Sequence, residues 1–369
     1  MAHTVTPWEV KGKIDYERLM TEFGLQPLRH LPDVFQKNVL FRRGIVFAHR
    51  DFKQIVDAIE QKKPFVMMTG LMPSGKFHFG HKLVADQIMF YQSLGAKVYI
   101  TVADIEAYNS RVPDMKELHE TAIQEYLINY IALGLLPKNC DFYFQSMRSE
   151  DGTKASAYYK LALMLSRHLT YNEFKAIYGD VGPGKMSASL LQASDMLHPQ
   201  LSEFEGGPLP VVVPVGSDQD PHLRLARDVS QRIKEFKFTQ LSSTYHTFLP
   251  GLKGDKMSSS DPMSFIALTD SPDEAAMKIK KYAFSGGQPT LEEHRRLGGN
   301  PDIDVSFQML KYGLEPDDTK LLKIEQDYRS GKLLSGELKE YTIKKLTAFL
   351  KEHQQKRKKA EKMVQKYLK

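Results

Sequence analysis

Between residues 64 and 233 the chain alternates short apolar runs with longer amphipathic stretches. PFVMMTG precedes HKLVADQIMFYQSLG, which precedes AKVYITVAD; further on, PLPVVVPVG precedes PHLRLARDVSQRI. The short runs predict strands and the longer ones, with apolar residues at helical spacing, predict helices. Such alternation is the signature of a parallel sheet wrapped by helices. Val211, Val212 and Val213 are apolar without alternation, as expected for a strand buried on both faces. From about residue 271 the pattern turns helical, as in 319–328 and 336–350, with no strand-like run. Residues 1–60 hold the only tryptophan, Trp8, and the stretch FRRGIVFAHRDF, and read as an appendage. The expected organisation is an appendage (1–60), an α/β domain (61–270) and a helical domain (271–369). No repeat of fixed period is visible.

Composition removes several classes of function. No apolar run approaches the roughly 20 residues that a membrane-spanning helix requires. The opening MAHTVTPWEVKG lacks the apolar core of a secretory signal. Cys140 is the only cysteine, which excludes internal disulfides and cysteine-rich zinc sites. A cytoplasmic protein without structural zinc or another resident metal is expected. The net charge of +6 is local: from Lys351 to Lys369 there are eight Lys and Arg against two Glu, and the rest balances. A basic end of that kind suits either a solvated helix or a polyanionic partner.

The chemistry concentrates in PSGKFHFGH. Here an apolar run (Phe65, Val66, Met67, Met68) passes through a Pro73-Ser74-Gly75-Lys76 turn into a helical segment bearing His78 and His81. Unpaired N–H groups and the positive dipole end of a helix start suit a phosphate. Two imidazoles there can donate to phosphate oxygens, and Gly80 removes a side chain where a nucleotide must approach. Far downstream, DKMSSSDP places Lys256 among hydroxyl residues, able to bring an ammonium to the same polyphosphate. Lys185-Met186-Ser187-Ala188-Ser189 imitates it, but runs directly into LLQASDML and reads as a helix start carrying Gln192 and Asp195. The second copy, bracketed by Gly251, Gly254 and Pro262, has the setting of a closing loop, so catalysis is assigned to Lys256. GSDQDP follows the VVVPV run, where polar groups at a strand's C-terminal end line the ligand crevice of open α/β sheets. Asp218 and Asp220 are open to a capping reading. Gln219 is not, and is the better ligand candidate.

The pairing of HFGH with KMSSS resembles the class I aminoacyl-tRNA synthetases. Pro7-Trp8, FRRGI, HFGH, DQDP, KMSSSDP, AFSGG, EEHR and GGNPDIDVSF fall in the order found in archaeal and eukaryotic cytosolic tryptophanyl-tRNA synthetases. The resemblance covers essentially the whole chain. It implies a Rossmann-type parallel-sheet catalytic domain, a C-terminal all-helical anticodon-binding domain, an N-terminal element near the ATP site, and a homodimer. It implies ATP with Mg2+ as co-substrate, and L-tryptophan and tRNA(Trp) as the other substrates. Carried over by position, Pro73, Ser74, Gly75, Lys76, Phe77, His78, Phe79, Gly80 and His81 hold ATP together with Lys256, Met257, Ser258, Ser259 and Ser260. Glu106, Gln192 and Gln219 grip the amino and carboxylate groups of tryptophan, and Asp302 or Asp304 reads the anticodon.

Two positions depart from the pattern. Met68 and Thr101 stand where eukaryotic relatives carry a Tyr and a Gln that recognise the indole N–H. That donor needs an acceptor in a buried pocket. Asp195, one turn beyond Gln192, is the residue expected to supply it. Two rival readings remain. One is a tyrosyl-tRNA synthetase of archaeal type, whose phenol-binding Tyr is Met68 here. The other is a silent tRNA-binding paralogue, which would be expected to lose parts of HxGH or KMSSS.

Overall fold

A computed structural model describes residues 4–5, 10–11, 15–254, 257 and 261–368. Pro7, Trp8, Lys256, Ser258, Ser259 and Ser260 lie outside the described residues. Two short strands, β1 (Thr4–Val5) and β2 (Val10–Lys11), pair with each other. The main sheet is built from β3 (Gln26–Pro27), β4 (Val46–Arg50), β5 (Val66–Leu71), β6 (Lys97–Val102), β7 (Cys140–Phe144), β8 (Val211–Gly216) and β9 (Ser242–His246), in the order β3-β4-β9-β8-β5-β6-β7. The five strands from β7 to β9 are parallel, and β4 and β3 extend the β9 edge antiparallel. This is the doubly wound, Rossmann-type arrangement expected from the alternation. Residues 26–50, read from sequence as appendage, contribute two strands to it.

The strands form because their β-branched and aromatic side chains are buried on both faces. Met67, Val98, Ile100, Phe142 and Val212 meet one helical layer, while Val66, Met68, Tyr99, Tyr143 and Val213 meet the other. β5 pairs with β6 at six positions but with β8 only at Val66↔Val211 and Met67↔Val212. Beyond Met67 these two strands part, at the point where the strand order reverses. Their diverging C-terminal ends open the crevice in which such sheets bind ligands.

The helical region is not set apart from the sheet. The helix Ser335–Ala360 packs on Pro272–Tyr282 and on Ile128–Leu133, and its apolar side chains share one core with the sheet. His353 Nε2 lies 2.7 Å from Asn129 Oδ1, and the Tyr367 hydroxyl donates to the Leu135 carbonyl at 2.5 Å. The basic end therefore folds back over the sheet, with Lys351, Lys356, Lys358, Lys359, Lys362 and Lys366 facing water. Arg43 and Arg42, from FRRGI, fasten the first segment to this region. Arg43 donates to the Lys311 and Glu315 carbonyls, and both arginines pair with Asp318.

Candidate active site

β5 ends at Leu71, the chain turns with Gly75 at φ +88°, and the helix Phe79–Ser93 begins. His78 is its N-cap: Nδ1 accepts from the Gly80 N–H at 3.1 Å, and His81 Nδ1 accepts in turn from the His78 N–H at 3.2 Å. This is a capping box built from imidazoles. Since both Nδ1 atoms accept, the hydrogen-bond pattern assigns the ring protons to Nε2. The rings stack with centroids 3.9 Å apart. Burial pushes the His78 pKa down to about 4, and burial with the neighbouring ring pushes His81 well below its ordinary value. At neutral pH the pair offers a phosphate two neutral N–H donors. A Cβ on Gly80 would sit 2.9 Å from His78 Cε1 and 3.0 Å from Nδ1. The glycine thus leaves room for the imidazole.

The structure brings the second motif to the first. Met257 Sδ lies 3.4 Å from that same Gly80 Cβ position. His78 bridges to Ala267, the Leu268 N–H donates to the Phe77 carbonyl at 2.9 Å, and the Phe265 ring lies 5.0 Å from that of His78. At its base the loop is strapped by a Lys253–Asp261 ion pair of 2.6 Å, with Asp261 capping the turn Pro262–Ser264. Lys185 lies in the first turn of the helix Pro183–Leu197, as the sequence context predicted for the imitation motif.

Across the crevice, Asp195 is fully buried on that helix. Its Oδ1 accepts from the Tyr143 and Tyr158 hydroxyls at 2.8 Å each, and its Oδ2 from Gln145 Nε2 at 2.7 Å. Thr101 lies beside Asp195 and Tyr143, and Met68 is packed in the same core cluster as Tyr143 and Ala193. Burial raises the Asp195 pKa to about 6 against those donors. Glu106, in the helix Asp104–Ser110 after β6, is raised to about 7 by burial and then by the Asp195 charge, with Arg111 opposing. Gln192 Oε1 is buried without a donor among the described residues, as are Gln145 Oε1 and Ser217 Oγ. Such atoms are what a pocket built for a polar ligand leaves unmatched. Gln219 is half-buried at the end of β8 and makes no capping bond, as expected.

Sequence reasoning missed Tyr143, Gln145 and Tyr158. Gln145 follows the last residue of β7, the kind of strand-end position that drew attention to Gln219. The reading of Asp195 as the indole acceptor meets a difficulty, because both of its oxygens are already engaged by protein donors. Asp220 is an anchor rather than a ligand: fully buried, it pairs with Arg50 and Arg224 at 3.0 Å each and accepts from the Tyr245 hydroxyl.

The two anticodon candidates separate clearly. Asp304 caps the helix Val305–Met309 through Oδ1, while its Oδ2 accepts from the Gly286 N–H and the Tyr328 hydroxyl. It is 1% exposed and has no lone pair to offer a base, so it is corrected to a structural residue. Asp302 is exposed and holds Arg329 at 3.1 Å. Among the described residues no cluster of three or more His, Cys, Asp or Glu is placed to hold a metal.

Comparison with known proteins agrees with this geometry. The family model of class I tRNA synthetases (W and Y) matches residues 60–351. The tryptophan--tRNA ligase of Methanocaldococcus jannaschii is 45% identical over 370 residues, covering 99% of this chain and 98% of its own. That of Hyperthermus butylicus is 46% identical over 373 residues, with the same coverage. The crystal structure of tryptophanyl-tRNA synthetase from the hyperthermophilic archaeon Aeropyrum pernix K1 matches with a TM-score of 0.90 at 45% identity, covering 96% of each chain. A helix start of the phosphate-binding kind at a Rossmann switch point, touched by Met257 and accompanied by a buried polar cluster around Asp195, accords with these relatives: the chain belongs to the class I tRNA synthetases (W and Y) and, within them, to the tryptophan--tRNA ligases.

Proposed function

We propose that this chain activates L-tryptophan with ATP to give tryptophanyl-adenylate and pyrophosphate, then transfers the tryptophanyl group to the 3′ end of tRNA(Trp). The observation that supports the reading is the contact of Met257 and of residues 265–268 with the His78 helix start. Mg2+ arrives with ATP as part of that substrate. The tryptophan carboxylate attacks the α-phosphate in line, one P–O bond forms as the bond to pyrophosphate breaks, and no covalent enzyme intermediate is needed. Catalysis is positioning plus charge stabilisation: His78 and His81 donate through Nε2, and Lys256 brings the cation to the phosphates. Glu106, Gln192 and Gln219 hold the amino and carboxylate groups. A terminal ribose hydroxyl of the tRNA then attacks the adenylate carbonyl and AMP leaves. Asp302 is the remaining anticodon contact. A cytoplasmic homodimer is what the family resemblance implies; no helix among the described residues is long and apolar enough to cross a membrane.

Tyrosine is the competing substrate, and Met68, 2% exposed on β5, argues against it by withdrawing a polar partner for a phenol. Amino-acid-dependent ATP–pyrophosphate exchange, run with tryptophan and tyrosine side by side, tests the reading. Exchange with tryptophan alone is expected. Exchange with tyrosine alone would transfer the chain to the other substrate, and exchange with neither would leave a silent tRNA-binding protein.

A further inference from the structure

An indole N–H can only donate, and a pocket that buries it must present an acceptor with a free lone pair. Asp195 is deep enough, but two tyrosine hydroxyls and the Gln145 amide already take three of its four lone pairs. Met68 offers only a weakly accepting thioether. Gln145 differs from both. It is fully buried at the end of β7, where its backbone N–H pairs with the Val102 carbonyl at 3.0 Å and its carbonyl accepts from Tyr159 at 2.7 Å. Its position is therefore fixed from the main chain. Its amide orientation is fixed as well, because an ionised Asp195 oxygen can only accept, so Nε2 must face it. The consequence is that Oε1 points away from Asp195, buried and without a donor among the described residues.

Gln192 Oε1 is unmatched too, but the two glutamines sit at different depths. Gln192 is partly exposed, one turn before Asp195 on the helix, at the level suited to the amino and carboxylate end that must reach the α-phosphate. Gln145 is wholly enclosed and shares Asp195 with the Tyr143 and Tyr158 hydroxyls.

We propose that Gln145 Oε1 accepts the indole N–H of tryptophan, and that Asp195 is a positioning residue that holds the Gln145 amide in the accepting orientation. This assignment rests on the tryptophan reading above. It makes the chain specific for an aromatic side chain bearing a donor, since a substrate without one leaves Oε1 buried and unpaired.

The test compares tryptophan with 3-(benzothien-3-yl)alanine, in which sulfur replaces the N–H, in pyrophosphate exchange on the full chain. In the unaltered protein tryptophan should be preferred by about tenfold or more in kcat/KM. Gln145→Met should remove most of that preference, lowering kcat/KM for tryptophan while leaving the analogue within about threefold. The ratio is internal to each protein, so partial loss of folded enzyme cancels. If Gln145→Met does not fold, Gln145→Asn, whose amide is drawn back by one methylene, reads the same ratio. Gln192→Met, acting on the end common to both substrates, should lower both equally. A preference kept in the Gln145 variants, or lost in Gln192→Met instead, would overturn the assignment. Absence of tryptophan-dependent exchange in the unaltered protein would instead sink the tryptophan reading, and this assignment with it.

Discussion

Glu106 should give tryptophan activation an acid limb near neutrality. Burial lifts its carboxyl from 4.5 to about 7, and the next contribution is the Asp195 charge. To hold an ammonium group Glu106 must be ionised, and a group with that pKa is roughly 90% ionised at pH 8 and roughly 10% at pH 6. Because kcat/KM reports the free enzyme, it should fall about tenfold between those pH values when exchange is measured at subsaturating tryptophan. The histidines cannot produce this limb, since His78 and His81 are neutral throughout the window. Glu106→Gln should flatten the limb and lower kcat/KM by about 10- to 150-fold, the range for a hydrogen bond to a charged group. Asp195→Asn removes the like charge, so the limb should move to lower pH. The two carboxyls form a coupled pair, and any residual second step belongs to the pair. A profile flat from pH 6 to 8, a limb that survives in Glu106→Gln, or one that moves upward in Asp195→Asn would refute this account.

Acid should also unfold the protein early. Burial depresses His78, His81, His198, His222, His246 and His353 below 6.5, so the unfolded chain takes up protons that the folded chain refuses. Their contribution is complete above pH 6.5 and is lost as pH falls toward 4, by about 1 kcal/mol per histidine between 6.5 and 5.5; a Tm constant from pH 7 to 5 would contradict it. Gly80→Ala should leave Tm nearly unchanged while slowing exchange about tenfold or more, because the new methyl displaces the His78 ring; equal loss of both would point to misfolding instead. Asp302→Ala should raise KM for tRNA(Trp) without altering exchange or melting. Asp304→Ala, which strips three backbone N–H groups and a tyrosine of their acceptor, should cost about 3 kcal/mol of stability in denaturant unfolding.

Of the five parallel strands, β5, β6 and β8 were legible because each is buried on both faces and carries its own apolar run, whereas β7 (CDFYF) and the polar β9 (SSTYH) were missed. β4 and β3 were missed too. VFAHR is only weakly apolar, β3 is two residues long, and both owe their conformation to partners far along the chain, β9 for the one and β4 for the other. The phosphate motif could be read because capping is local: His78, Gly80 and His81 make their bonds within three residues. The floor of the pocket could not, since Asp195 meets Tyr158 and Gln145 at separations of 37 and 50 residues. Asp304 was within reach, because an aspartate directly before VSFQM is a capping signal. The family likeness drew attention to it as a reader of bases, and the local signal explained it better.

The imidazole pair also constrains where positive charge can enter the reaction. Two rings 3.9 Å apart at the buried start of a helix cannot both be cations, and protonating either Nδ1 would break a cap. The helix start therefore presents fixed dipoles rather than a charge. On the function proposed above, formal charge for the pentavalent phosphate comes from outside this pair, with Lys256 and the Mg2+ that accompanies ATP as its sources. Such a division suits a two-step enzyme, because charge carried on a loop or with the nucleotide can depart with pyrophosphate while the preorganised donors stay with the adenylate. The fixed half is itself braced by the helix Ser335–Ala360. Gln354 donates to the Asp270 carbonyl at 2.7 Å and Arg357 to the Gln124 carbonyl at 3.1 Å, while Glu125 accepts from the Phe77 N–H at 3.3 Å. The helical region thus buttresses both segments that converge on His78, and loosening it should disturb the donors' aim before it disturbs the affinity for tryptophan.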